Sequence, residues 1–244
     1  MRIPRIHTAQ ALRASARIEL EPDRAHYVAR VLRMRPGDRL VVFDGSGGQY
    51  PATIEALGRQ AATIATGDFD PVECESNLAL HLGIAVSRGE RMDWVVQKAT
   101  ELGVQSITPL LSERTEVRLS GEREGKKLRH WRQVATSACE QCGRNRLPQV
   151  ERLQSLPEWW EGVAADLRLV LDPAAASGAR DMAAPASIAL LVGPEGGFSG
   201  AEIAAAETAG FQSLQLGPRI LRTETAPLAA IAVLQARWGD IRLG

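Results

Sequence analysis

Two segments in the C-terminal half carry glycines at spacings that suit close contact between the backbone and a ligand. In each segment, at 190–199 and at 214–226, a short apolar run breaks into a glycine and proline loop, and a helical pattern follows. Gly193, Gly196 and Gly197 let bare backbone approach a bound molecule. Open α/β sheets bind ligands outside the carboxyl ends of their strands, so both loops are expected to face one ligand.

The residues behind the first loop predict how its backbone is held. Ser-x-x-Glu at 199–202 fits a capping box that opens a helix, so the amides of the loop are expected at a helix N-terminus. Taken alone, the loop is equally consistent with a tight strand-to-helix connection that binds nothing. The second segment, one strand and one helix later, favours a pocket.

Alternating strand and helix patterns from residue 78 onward predict the sheet that carries these loops. The predicted strands are 78–86, 106–111, 167–171, 188–192 and 214–216. The predicted helices are 92–102, 124–142, 199–209 and a last one from about 223 to 238. This alternation predicts an α/β fold, a mostly parallel sheet with helices on both faces.

The N-terminal part predicts a separate small β domain. Short strand patterns at 17–20, 38–43, 48–54 and 61–65 are separated by turn residues, and one helix begins near Pro22. The polar stretch 68–77 has no apolar periodicity and predicts a linker. We therefore expect one domain at 1–72 and a second at 73–244.

The two glycine segments resemble the signature of the SPOUT methyltransferases, in particular the RsmE-type 16S ribosomal RNA uridine-N3 methyltransferases. In that family, Gly-Pro-Glu-Gly-Gly and Leu-Gly-x-Arg-Ile-Leu-Arg-x-Glu-Thr-Ala form two sides of a deep trefoil knot that holds S-adenosylmethionine. Residues 193–197 and 216–226 reproduce both motifs. The N-terminal pattern at 26–38 is similar to the PUA-like barrel of the same family. The resemblance implies a knotted SPOUT domain preceded by a small PUA-like β-barrel.

This resemblance implies an enzyme that transfers a methyl group from S-adenosylmethionine to N3 of a uridine in 16S ribosomal RNA, within the small ribosomal subunit. It also implies a homodimer. The positions expected to hold the cofactor are Leu171, Leu191, Gly193, Glu195, Gly196, Gly197, Leu216, Gly217, Arg219, Ile220, Leu221, Arg222, Thr225 and Ala226.

The implied reaction requires a base, because uracil N3 carries a proton at neutral pH. Candidate bases are Glu195 and Glu140, and candidates for stabilising negative charge on the carbonyl oxygens are Arg222, Arg144 and Arg114. Residues 140–144 resemble a Glu-Gln-x-x-Arg segment of the family. A loop-capping role for Glu195 and an ordinary helix end at 140–144 are the structural alternatives, and the sequence does not rank the two bases.

The charge distribution indicates an RNA-binding end. The net charge is zero, but residues 1–40 contain nine arginines against four acidic residues, and residues 153–244 contain six basic against ten acidic residues. A chance cluster of solvated arginines is the alternative. The predicted RNA contacts are Arg2, Arg5, Arg30, Arg33, Arg35 and Arg114.

Composition excludes several classes of protein. The chain is 45% hydrophobic and 24% charged, without an apolar run near the roughly 18 residues that a membrane span needs. Three cysteines suit a reducing compartment, so we expect a cytoplasmic protein. Cys139-x-x-Cys142 lacks a second pair or a histidine at ligand spacing, so packing on a helix is favoured over zinc and no metal is expected.

Two other functions remain compatible with the sequence. A SPOUT enzyme with another RNA target, such as transfer RNA or 23S ribosomal RNA, would share the cofactor pocket and differ in the barrel. A non-catalytic RNA-binding assembly factor would keep the basic N-terminus without needing the glycine loop. The intact loop at 193–197 favours an enzyme.

Overall fold

The computed structural model describes residues 3–58, 61–117, 119–175 and 183–242, and the predicted RNA contact Arg2 lies outside them. The chain forms two compact units. The first unit consists of Met1–Glu75 and Cys139–Leu147, and the second consists of Ser76–Ala138 and Pro148–Gly244.

The described part of the first unit forms a five-stranded sheet in the order β1-β3-β4-β5-β2. Its strands are β1 (Arg5–His7), β2 (Arg17–Leu20), β3 (Arg39–Phe43), β4 (Tyr50–Leu57) and β5 (Ala62–Thr66). β1 pairs with β3 in parallel, and the other pairs are antiparallel. Helix α1 (Pro22–His26) continues into a π-helical turn at Tyr27–Val31. Alternate residues such as Leu40 and Val42 of β3 are buried in the core of this unit.

The described part of the second unit forms a seven-stranded parallel sheet in the order β12-β10-β11-β6-β7-β8, with β9 also paired to β7. Its strands are β6 (Ala79–Ala85), β7 (Ser106–Leu111), β8 (Gln149–Val150), β9 (Gln154–Ser155), β10 (Leu167–Leu171), β11 (Ser187–Val192) and β12 (Gln212–Leu214). All of its strand pairs are parallel, which confirms the sequence prediction.

Helices cover both faces of this sheet, as predicted. The helices are α2 (Arg91–Glu101), α3 (Glu122–Cys142), α4 (Leu156–Gly162), α5 (Gly200–Thr208) and α6 (Ala226–Trp238). Leu190 of β11 belongs to a core cluster with residues of α2, α3 and α6, whereas its neighbour Leu191 packs with residues of α4 and α5. Successive strand residues point to opposite faces, so these are two separate layers. Strand order alone does not define a knot, and the trefoil knot stays a prediction.

None of the helices in the described ranges is both long enough and apolar enough to cross a bilayer.

Candidate active site

A cavity of about 530 Å³ lies at the carboxyl edge of the parallel sheet in the second unit. β11 pairs with β10 on one side and with β6 on the other, so the loops that follow these strands are neighbours. The lining residues are Arg91, Leu171, Asp172, Pro173, Val192, Gly193, Pro194, Glu195, Gly196, Gly197, Phe198, Ile203, Ile220, Leu221, Arg222, Thr223, Glu224 and Ala226. Both glycine segments therefore contribute to one cavity.

The glycine loop that follows β11 is a tight turn. The N–H of Gly197 donates to the carbonyl of Pro194 at 2.8 Å, and Gly197 has a φ of +65°, in the left-handed region that favours glycine. A Cβ added at Gly193 would lie 3.2 Å from both the backbone nitrogen and a ring carbon of Phe198. A side chain at Gly193 would therefore require Phe198 to shift.

Helix α5 begins directly behind the loop with the predicted capping box. The Ser199 hydroxyl accepts the N–H of Glu202 at 3.3 Å, and the Glu202 carboxylate accepts the N–H of Ser199 at 2.8 Å. The other oxygen of this carboxylate accepts the N–H of Glu113, which follows β7, at 2.7 Å. Glu202 therefore connects the start of α5 with a neighbouring strand-end loop.

The second glycine segment forms another part of the cavity wall. Gly217 has a φ of +83°, a conformation that glycine adopts without strain. The N–H groups of Thr225 and Ala226 both donate to the carbonyl of Arg222, at 2.9 and 2.8 Å. This turn places the start of α6 at Ala226, three residues later than predicted.

Arg91, the first residue of α2, is a cavity residue that the sequence analysis missed. Its Nη1 donates to Oε1 of Glu195 at 2.8 Å, and its Nε lies 3.9 Å from Oε2 of Glu224. One carboxylate belongs to the glycine loop and the other to the second segment. A signal was available, because Arg91 closely follows β6 and thus lies at the same strand-end edge.

The chain matches two models of known protein families. Residues 74–235 match the family model described as an RNA methyltransferase domain. The chain belongs to the RNA methyltransferase family. Residues 20–66 match a second model, an RNA methyltransferase PUA domain, which confirms the predicted PUA-like N-terminal domain. The predictions of a methyltransferase and of an enzyme are likewise confirmed.

Three similar proteins match this RNA methyltransferase over nearly its full length. The Ribosomal RNA small subunit methyltransferase E of Buchnera aphidicola subsp. Schizaphis graminum is 36% identical over 242 residues, 98% of each chain. The protein of the same name from Neisseria gonorrhoeae, solved bound to S-adenosylmethionine, is 39% identical, with a TM-score of 0.94 over 98% of this chain and 99% of the other. A Legionella pneumophila protein solved with bound SAM is 40% identical, with a TM-score of 0.96 over 99% and 100%. The RsmE-type resemblance is confirmed.

Most of the positions predicted to hold the cofactor line the cavity of this RNA methyltransferase. The predicted positions in the lining are Leu171, Gly193, Glu195, Gly196, Gly197, Ile220, Leu221, Arg222 and Ala226. The predicted positions outside it are Leu191, Leu216, Gly217, Arg219 and Thr225. Leu191 is a correction: it is 1% exposed in the core beside α4 and α5, and the adjacent Val192 lines the cavity instead.

Arg114 contacts the glycine loop of this RNA methyltransferase. Its Nη1 donates to the carbonyl of Gly196 at 2.8 Å, and a Cβ added at Gly196 would meet the Arg114 side chain at 3.4 Å. The Arg114 side chain therefore supports the loop. It is also exposed, and its predicted contact with RNA stays a prediction.

Two of the predicted catalytic residues, Glu195 and Arg222, line the cavity, whereas Glu140 and Arg144 belong to the first unit. The Glu140 carboxylate accepts the backbone N–H of His7 at 2.9 Å and Nη1 of Arg24 at 3.1 Å. Burial raises the pKa of Glu140, and the His7 N–H and the Arg24 charge act in the opposite direction. These contacts join strands and helices within the first unit.

Arg144 is 3% exposed, and its guanidinium donates to the Glu75 carboxylate from Nε at 3.1 Å and from Nη2 at 2.7 Å. A buried guanidinium in a bidentate ion pair is held by its partner and satisfies it. The predicted catalytic roles of Arg144 and Glu140 are therefore not supported by their contacts. The contacts of both side chains lie within the first unit.

Arg5 is a further correction among the predicted RNA contacts. Its Nη2 donates to Oδ1 of Asn145 at 2.6 Å, its Nη1 donates to the Gln49 side chain, and its guanidinium lies 5.0 Å from the centre of the Phe43 ring. These contacts engage Arg5 within the first unit. By contrast, Arg30, Arg33 and Arg35 are exposed.

The described ranges contain no group of three or more His, Cys, Asp or Glu side chains that could hold a metal ion. In the Cys-x-x-Cys segment, burial raises the pKa of the Cys139 thiol to about 12, and its Sγ donates to the carbonyl of Arg146 at 3.7 Å. Cys139 therefore behaves as a packed side chain.

Proposed function

We propose that this chain transfers a methyl group from S-adenosylmethionine to N3 of a uridine in 16S ribosomal RNA of the small subunit. The observation that carries the proposal is the single cavity built from both signature segments, 193–197 and 220–226. The names of the full-length relatives support the RNA class, and the bound ligand of two similar structures supports the cofactor.

The cavity fits S-adenosylmethionine in size and in the chemistry of its walls. Its volume of about 530 Å³ lies within the range of small-ligand pockets, roughly 300–1,000 Å³. Leu171, Val192 and Leu221 offer apolar surface for a flat ring, and Gly193 and Gly196 line the cavity without a side chain that would keep a ligand from the backbone. When bound, the cofactor supplies an activated methyl group.

We assign the acid–base and electrostatic roles to two lining residues. Glu195 is proposed as the base for the N3 proton, because it lines the cavity and Glu140 does not. Arg222 is proposed to stabilise the negative charge that develops on the uracil oxygens. Its guanidinium forms no ion pair within the described residues, which supports its availability.

The test combines cofactor titration with mapping of the product. Calorimetry is expected to show one S-adenosylmethionine bound per chain. Total RNA and intact small subunits from a strain that lacks the gene are then incubated separately with enzyme and cofactor, and mass spectrometry locates the methyl group. One N3-methylated uridine in 16S RNA supports the proposal. Methylation of transfer RNA or 23S RNA would show that the RNA substrate is not 16S RNA. Absence of cofactor binding would contradict the proposed methyltransferase activity.

We further propose that the first unit, which contains the predicted domain 1–72, binds RNA, and that the second unit, which contains most of the predicted domain 73–244, carries the methyltransferase site. We also propose that the enzyme is a cytoplasmic homodimer. Exposed apolar side chains on two packed helices, Trp94 on α2 and Val233 on α6, support a subunit contact on the second unit. Light scattering is expected to give twice the mass of the chain.

The exposed arginines after α1 are proposed to bind RNA phosphates. Replacing both Arg33 and Arg35 with glutamine is expected to weaken RNA binding. The dependence of log K on log salt concentration should become less steep by about one to two units. The matched control is Arg17→Gln, because Arg17 is an exposed arginine of the same unit that pairs with Glu55 at 2.8 Å. Filter binding over a range of salt concentrations measures the RNA affinity and its salt dependence. An unchanged slope in the double variant contradicts the proposed phosphate contacts.

A further inference from the structure

We propose that Arg91 is a positioning residue, which ties the glycine loop 193–197 to segment 219–226 and so sets the shape of the cavity before the cofactor binds. This inference rests on the proposed function, because it concerns S-adenosylmethionine binding in the same cavity. Arg91 is assigned no part in methyl transfer itself.

The two segments depend on contacts from outside for their relative position. Both are irregular backbone, apart from short turns and the first residue of α6. Within the described residues, no hydrogen bond or ion pair joins one segment directly to the other. Arg91 interacts with both, through Glu195 at 2.8 Å and Glu224 at 3.9 Å.

The charges explain why an arginine suits this position. Glu195 and Glu224 are like charges within reach of one guanidinium, and without it they would repel each other across the cavity wall. A planar guanidinium offers several donors in fixed directions and can serve two carboxylates at once. A lysine ammonium is a point charge on a flexible stem and would hold the pair less rigidly.

Exposure decides where the effect of Arg91 should be measured. The side chains are 41% exposed for Arg91, 33% for Glu195 and 24% for Glu224. Ion pairs this exposed contribute little to folding stability. Loops that already have their bound conformation lose less conformational entropy when a ligand binds. The contribution of Arg91 should therefore show in cofactor affinity and leave the unfolding temperature nearly unchanged.

The first test replaces Arg91 with glutamine and measures S-adenosylmethionine affinity by calorimetry. The expected loss is about two- to fivefold, the affinity equivalent of the small coupling that exposed ion pairs supply. Arg88→Gln is the matched control, because Arg88 lies three residues earlier, is exposed and pairs with Glu116 at 2.8 Å. It is expected to bind like the wild type. Arg91→Lys is expected to recover part of the affinity, and both glutamine variants should unfold at the wild-type temperature.

A second probe separates loop positioning from direct contact with the cofactor. 5′-Methylthioadenosine shares the nucleoside of S-adenosylmethionine and lacks its amino-acid part. If Arg91 positions the two segments, Arg91→Gln weakens both ligands, and the change has little further effect in a Glu195→Gln/Glu224→Gln background. If only S-adenosylmethionine binding is weakened, Arg91 contacts the amino-acid part and the positioning role is overturned.

The remaining outcomes distinguish this inference from the proposed function. If the wild type binds S-adenosylmethionine and Arg91→Gln binds it equally well, the positioning role fails and the proposed function stands. If the wild type does not bind the cofactor, both fail.

Discussion

Replacing Arg222 with alanine is expected to lower kcat/KM for RNA methylation by about 10²- to 10³-fold, the usual cost of removing one group that stabilises developing charge. Arg222 lines the cavity with an exposed side chain that forms no ion pair within the described part of the chain. Its charge is therefore available to a uracil whose N3 loses a proton. Single-turnover methylation at saturating cofactor measures the rate, and calorimetry should show a much smaller change in cofactor affinity.

Two further variants sharpen this test. Arg222→Lys keeps the positive charge and is expected to recover part of the rate. Lys126→Ala removes an exposed cation from α3, where Lys126 pairs with Glu122 at 2.8 Å, and is expected to methylate like the wild type. An Arg222→Ala rate within about twofold of the wild-type rate would exclude Arg222 from the reaction.

Replacing Gly83 with alanine is expected to lower the free energy of unfolding by about 1–3 kcal/mol, as overpacking of a core does. Gly83 lies in β6, an interior strand of the parallel sheet. An added Cβ would come within 2.6–2.8 Å of three ring atoms of Trp159 in α4, and Trp159 is itself buried. Urea unfolding followed by circular dichroism measures the loss.

Replacing a glycine with alanine at an uncrowded helical position is expected to raise the free energy of unfolding. At Gly200, the first residue of α5, an added Cβ meets no atom within 4 Å. Gly200→Ala is therefore expected to raise stability by up to about 1 kcal/mol. Combining Gly83→Ala with Trp159→Leu should cost less than the sum of the two single changes. If Gly83→Ala unfolds at the wild-type urea concentration, the proposed clash is wrong.

The cavity was predictable because its signals are local. The apolar run before Gly193, the capping box at Ser199 and the second segment at 216–226 each specify conformation within a few residues. The parallel sheet then brings such loops to one edge regardless of their separation along the chain. The start of α6 was placed three residues early, although Pro227, which is favoured only in the first turn of a helix, marks the correct position.

The roles of several charged residues depend on partners far away in the sequence, and no local pattern reveals them. Arg144 pairs with Glu75, 69 positions away, and Glu140 accepts the N–H of His7, 133 positions away. A motif match therefore suggested catalysis for two side chains whose contacts lie within the first unit. Segment 139–147 interrupts the second unit in the sequence, and nothing in its composition indicates that it belongs to the first.

Short elements were missed for a different reason. β8 and β9 have two residues each, too few for any periodicity to be read. Helix α4 did carry a signal, because Ser155 caps it by accepting the N–H of Glu158. For Arg91, the position at the strand-end edge could be predicted from the sequence. Its two carboxylate partners, Glu195 and Glu224, could not.

The walls of the cavity come from positions as far apart as Arg91 and Ala226. A ribosome that is translating this protein therefore synthesises every strand of the described sheet before the last wall exists. The growing chain acquires its ligand pocket only after residue 226 has left the exit tunnel. A premature stop before residue 220 therefore leaves a fragment that contains the sheet but has an incomplete pocket.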